Sequence, residues 1–128
     1  MTLPVTSLLA GAFALLMVPL SLQVSLRRIK TGVGSSPGAQ DETLRRRVRA
    51  HGNFIEYAPT ALILVGLVEF TGGPRLLVAG LALAFILSRI GHALGMLYTS
   101  TPILRAPSML VQHIAFVVAG SWLIAQAL

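Results

Sequence analysis

Most of the chain is taken up by four apolar runs, each about as long as a bilayer is thick. They are Leu3–Leu26, a stretch from Phe54 that continues to about Phe70, Arg75–Leu97 and Ile103–Leu128. A hydrocarbon core of about 30 Å needs roughly 20 helical residues to cross it. Inside that core no water reaches backbone N–H and C=O groups, so each run must satisfy them internally as a helix. Charge is scarce as well. Of the 128 residues 55% are hydrophobic and 11% charged, against about a quarter charged in soluble domains. The sequence therefore predicts an all-α, polytopic integral membrane protein. A single domain over residues 1–128, a bundle of four transmembrane helices, accounts for the whole length.

The segments between the runs agree with this division. Arg27, Arg28 and Lys30 stop the first span at the interface, and Thr31–Gln40 (TGVGSSPGAQ) reads as a loop. Asp41 is placed to cap a second helix that starts near Glu42 and carries Arg45-Arg46-Arg47-Val48-Arg49 into the membrane. Thr71–Pro74 is a tight turn, and Thr99–Pro102 separates the third helix from the fourth. Pro19 and Pro59 are expected to bend their helices without ending them. Seven of the ten basic residues lie between Arg27 and Arg49. The positive-inside rule then puts that connection and Tyr98–Arg105 in the cytoplasm, with both termini outside. It also explains the net charge of +6, so no nucleic-acid partner is expected. The N-terminus lacks a basic n-region and its apolar run is too long for a signal peptide, so it is expected to remain as the first span. The absence of cysteine excludes a disulfide, a thiolate metal site and a cysteine nucleophile, and no metal is expected. Any thiol chemistry must use a thiol carried by a ligand.

Within this apolar frame, polar residues gather on one helix face. With about 100° per residue, Asn53, Glu56 and Tyr57 fall within roughly 80° of Arg49 around the second helix. An ionisable group such as Glu56, placed inside a span, by default faces protein or a wet cavity and has a partner. Arg49 and Glu56 are two turns apart, too far for a direct intrahelical pair, so another helix or a ligand must stand between them. The third span carries Arg89 and His92 one turn apart, with Met96 beyond them. Two readings stay open for Arg89: it neutralises Glu56 as a purely structural pair, or it belongs to a site. His92 is likewise either a satisfied core histidine or a ligand contact. Arg105, at the start of the fourth helix, is an interfacial arginine or part of the same site. Arg45, Arg46 and Arg47 read as a solvated basic patch that sets topology. Glu69 and His113 lie apart from the group and take no assigned role. Arginine forks bind carboxylates and Glu56 suits an ammonium, so the set fits a small anion carrying an amino group.

The run Arg49-Ala50-His51-Gly52-Asn53-Phe54-Ile55-Glu56-Tyr57-Ala58-Pro59, with Arg89-x-x-His92, Arg105 and Ser21-Leu22-Gln23-Val24, resembles the MAPEG family. These are membrane-associated proteins in eicosanoid and glutathione metabolism. The short chain and the form His51-Gly52-Asn53 are most similar to its bacterial inner-membrane branch. The resemblance implies a four-helix bundle that forms a homotrimer, with glutathione as co-substrate between neighbouring subunits at the cytoplasmic end. It implies that Arg49, Asn53, Glu56 and Tyr57 contact glutathione, with Arg89 and His92 of the adjacent subunit completing the pocket. Arg105 would match the catalytic arginine that holds glutathione as its thiolate. Met96 departs from the pattern, standing where family members often have a tyrosine, and Tyr98 is about 200° away around the helix.

Three functions follow in order of preference. The first is a glutathione-dependent transferase or peroxidase attacking lipophilic electrophiles dissolved in the bilayer. The second is a non-catalytic membrane protein binding glutathione or a similar small anion. The third is a transporter lined by the same stripe, ranked last because no repeat or discontinuous helix is visible.

Overall fold

A computed structural model describes residues 2–32 and 41–128 and consists there of four helices. They are α1 (Pro4–Thr31), α2 (Glu42–Phe70), α3 (Arg75–Tyr98) and α4 (Arg105–Ala127). All four are long and apolar enough to cross a membrane. Residues 33–40 of the expected 31–40 loop lie outside the described residues. The first helix outruns its apolar stretch by about a turn. The hydrocarbon boundary ends a need for apolar side chains, not a helix, and α1 stops only at Gly32, whose φ of +66° is left-handed.

The helix ends show why the chain turns where it does. Asp41 caps α2 as expected, accepting from Leu44 N at 3.2 Å, and its carboxylate also takes Arg27 Nε at 2.8 Å and Nη2 at 3.2 Å. One side chain thus starts α2 and ties it to the end of α1. The Arg27 guanidinium, with help from the Leu44 amide, holds the Asp41 carboxyl below the ordinary aspartate range. At the other end α2 finishes in a Schellman motif. Gly73 N bonds to Val68 O at 2.8 Å and Gly72 N to Glu69 O at 3.3 Å, with Gly72 at a φ of +81°.

Glu69 gains a role that sequence did not suggest. Its carboxylate accepts from Val5 N (2.9 Å), Thr6 N (2.8 Å) and Thr6 Oγ1 (2.6 Å). Those are the first-turn donors of α1, a helix with Pro at its start and no capping side chain of its own. A carboxylate from α2 therefore serves as the cap of α1, where the helix dipole favours negative charge.

In the bundle α2 and α3 form the central pair, while among the described residues α1 and α4 do not touch. Alanines at the contacts (Ala50, Ala58, Ala61, Ala82, Ala115 and Ala119, all buried) bring backbones close, which favours dispersion packing where lipid leaves no hydrophobic drive between helices. Larger side chains such as Phe13, Phe54 and Phe85 fill the rest, and Phe13 meets Phe54 edge to face at 5.4 Å.

The helices α3 and α4 pack closely through two glycines. A Cβ on Gly95 would lie 2.8 Å from Arg105 Cγ and 3.1 Å from Arg105 N, and one on Gly91 would lie 2.4 Å from Ser108 Oγ. The pair Gly91-x-x-x-Gly95 thus gives α4 a flat seat for its first turn. That seat sets where Arg105 stands.

Candidate functional site

At the basic end of the bundle a cavity of about 690 Å³ opens between α2, α3 and α4. This lies in the range of small-molecule sites, roughly 300–1,000 Å³. Arg45, Arg46, Arg49 and Arg105 line it, with His92, Met96 and Met109 deeper in the wall and Glu42 as the one carboxylate. Four guanidinium groups against one carboxylate give its lining a net positive charge. The N-terminus of α4, which no side chain caps, adds its positive dipole end beside Pro102 and Ala106.

Arg105 stands at the first position of α4, held there by Gly95. Its Nη1 lies 3.4 Å from Met96 Sδ, and its Nε is buried without a partner. The guanidinium therefore already faces a sulfur atom and keeps a donor in reserve. His92 is buried beside it on α3.

A second cluster lies one layer further in. Arg89, only 3% exposed, donates to Asn53 Oδ1, to Asn53 O at 3.5 Å and to Met109 Sδ at 3.5 Å, and its Cζ sits 5.2 Å from the Tyr57 ring centroid. Tyr57 in turn packs on Phe116 at 6.1 Å and on His113 at 6.2 Å. Met109 walls both the cavity and this cluster. A buried arginine held by an amide, a sulfur and a ring, with no carboxylate, is a fixed positive centre behind the cavity.

The expected residues thus divide into three. Arg49, His92 and Arg105 line one cavity; Asn53, Tyr57 and Arg89 form the layer behind it, all within one chain. Glu56 joins neither, being exposed on the outer face of α2. The ion pairs among the described residues are Arg27–Asp41, Arg45–Glu42 and Arg46–Glu42, so the structural pairing of Arg89 with Glu56 is not formed. The reason is angular. Glu56 shares the outward stripe of Arg49, Thr60, Ile63 and Leu67, whereas Asn53 and Tyr57 lie to one side and reach α3 and α4.

The basic run Arg45–Arg47 is also more than a topology signal. Arg46 donates to Thr99 O at 3.1 Å and to Glu42 at 3.0 Å, tying the start of α2 to the end of α3, while Arg47 donates to Gln23 O on α1 at 3.0 Å. The spacing from Arg45 to Arg49 is one helical turn, a signal that could have placed Arg45 at the cavity. Met96 belongs to the cavity wall and Tyr98 does not, being 78% exposed on another side of α3.

Residues 6–125 match the MAPEG family. The chain is 31% identical over 91 residues to the inner membrane protein YecN of Escherichia coli strain K12, covering 71% of this chain and 69% of that one. The YecN of E. coli O6:H1 strain CFT073 matches to the same extent. No solved structure matches. With four apolar helices and an inner-membrane relative, the chain is an integral inner membrane protein. The match over nearly the whole length, with four apolar spans to go with it, means that the chain belongs to the MAPEG family.

Proposed function

We propose that the arginine cavity binds glutathione and holds it as a thiolate for attack on a lipophilic electrophile or hydroperoxide from the bilayer. The observation that carries this reading is Arg105, with a guanidinium edge 3.4 Å from a chain sulfur and a buried Nε still unpartnered. A free thiol has a pKa near 8.5, so only a few per cent is ionised at neutral pH. A guanidinium at hydrogen-bonding distance favours the thiolate and lowers that value. Arg49, with Arg45 beside it, offers forks for the two carboxylates of the tripeptide. Thiolate addition then needs mainly proximity to a substrate already concentrated in lipid.

Glu56, the natural partner for the ligand's ammonium, faces outward and would act from a neighbouring copy in a homotrimer. The basic end would face the cytoplasm and the termini the other side. A reporter fused after Leu128 is expected to be active only outside the cytoplasm. Transport is disfavoured by geometry: the helices run unbroken through Pro19 and Pro59, without the split helices that hold substrates mid-membrane.

The test is binding and thiolate absorbance of glutathione on the protein in nanodiscs. Arg105→Ala is expected to abolish the thiolate signal and turnover of an aromatic chloride while affinity changes little. Arg49→Ala is expected to weaken binding by about tenfold or more, the loss of a charged hydrogen bond. Glutathione bound by the parent without thiolate or turnover would favour the non-catalytic binder. No binding at all would end both readings.

A further inference from the structure

On the face of α3 toward α1 a second feature lies apart from Arg49 and Arg105, although its mouth shares Glu42 and Arg46 with the arginine cavity. An apolar groove of about 210 Å³ runs between α1 and α3, walled by Leu16, Leu20, Ile90, Ala93 and Leu97. Its outer end opens into a polar mouth of about 340 Å³ lined by Arg46, Arg47, Thr43 and Glu42. Gln23, Leu97 and Tyr98 belong to both, so mouth and groove are one continuous path.

The polarity of this path follows the membrane. The mouth stands at the level of the basic residues where α1 leaves its apolar run, and the groove descends from Tyr98 to Arg89, about 13 Å along α3. Tyr98, 78% exposed, is an aromatic side chain at headgroup height. Glu42 is already engaged by Arg45 and Arg46, which leaves the mouth net positive through Arg47. Between mouth and groove, Gln23 Nε2 is buried with no partner among the described residues. A buried amide donor without an acceptor is destabilising, so an acceptor is called for at that height.

We infer that this path binds one anionic phospholipid of the leaflet at the basic end. The phosphate lies at Arg47, an ester carbonyl accepts from Gln23 Nε2, and one acyl chain lies along Leu20 and Ala93 between α1 and α3. Charge decides the occupant: a positive mouth above an apolar groove matches a negative headgroup above a chain. The reacting electrophile is a poorer match, because α3 separates the groove from Met96 and Arg105. The inference does not depend on glutathione.

The experiment is native mass spectrometry of the full chain released from detergent, with phosphatidylglycerol or phosphatidylcholine of identical chains added, and oleate as competitor. The parent is expected to retain phosphatidylglycerol about fivefold better, the worth of roughly one arginine near a membrane surface. Arg47→Gln should bring the two lipids to parity. Ala93→Phe, which fills the groove, should reduce retention of both. Glutathione binding, measured on the same samples, should not change in either variant, which separates this result from any failure of the glutathione site. Equal retention of both lipids by the parent would overturn the inference. So would complete displacement by oleate, which would make it a fatty-acid site, or an Ala93→Phe variant whose only change is loss of oligomer, which would make it a subunit interface.

Discussion

Asp41 does two jobs with one carboxylate, capping α2 and pairing with Arg27 of α1. Its folded pKa is lowered, first by the Arg27 hydrogen bond, so folding favours the ionised form. The stability this contributes is fully present above the unfolded aspartate value of about 3.9 and is lost as pH falls through the lower folded value. Asp41→Asn keeps a competent cap but removes the charge. The parent is expected to melt higher than Asp41→Asn in detergent at neutral pH, and the gap should close below about pH 4. A gap that persists at low pH would assign the effect to the cap alone. At the same scale, the arginines differ sharply despite equal charge. Arg46 and Arg47 are committed to carbonyls of α3 and α1, Arg89 is buried without a counterion, and Arg105 keeps an unpartnered donor.

Among the elements, α3 is the template on which the site is built. Gly91 and Gly95 let the first turn of α4 rest on its backbone, and His92 and Met96 flank the same turn. Gly95→Ala would place a methyl 3.1 Å from Arg105 N, and backbone cannot rotate away as a side chain can. We expect it to cost about 1–3 kcal/mol of stability, as overpacking does, and to weaken the thiolate signal of bound glutathione by moving Arg105. Gly91→Ala should cost less, since the atom in the way is the Ser108 hydroxyl, which can turn. Thermal melting with the thiolate absorbance of bound glutathione checks both; equal effects of the two substitutions would show that the seat does not position Arg105. The turns at this scale were legible beforehand. Asp41 and Thr71–Pro74 act through local hydrogen bonds that residue type dictates. Glu69 was not, because the donors it satisfies lie more than sixty residues away in sequence.

For the molecule as a whole, the outward stripe of α2 carries a charge that packing within one chain leaves exposed. Glu56 is exposed there between Ile55, Ile63 and Leu67. Glu56 lies less than a turn inside the apolar run that begins at Phe54, and a carboxylate facing lipid there still carries a desolvation cost. A copy of the chain packed on this stripe would remove that cost and bring Glu56 toward a neighbour's cavity. Crosslinking in mild detergent is expected to stop at three subunits, and Glu56→Leu is expected to keep that assembly while weakening glutathione binding. A parent that remains monomeric yet binds glutathione would refute the shared site.

Local chemistry was enough to determine the number of spans, their ends and the crowding of basic residues at one end. Membrane length, caps and helix-breaking residues act over a few residues and leave their marks in order along the chain. Which polar residues meet was not decided that way. The approximate angles around α2 put Arg49, Asn53, Glu56 and Tyr57 on one side. Only the packing of α3 and α4 turned Asn53 and Tyr57 toward Arg89 and left Glu56 facing out. Likewise, nothing in the run Arg45–Arg47 tells a lipid-facing cation from one bonded to a carbonyl of another helix. That difference depends on where α1 and α3 end beside it, and a helix end is placed by the whole bundle.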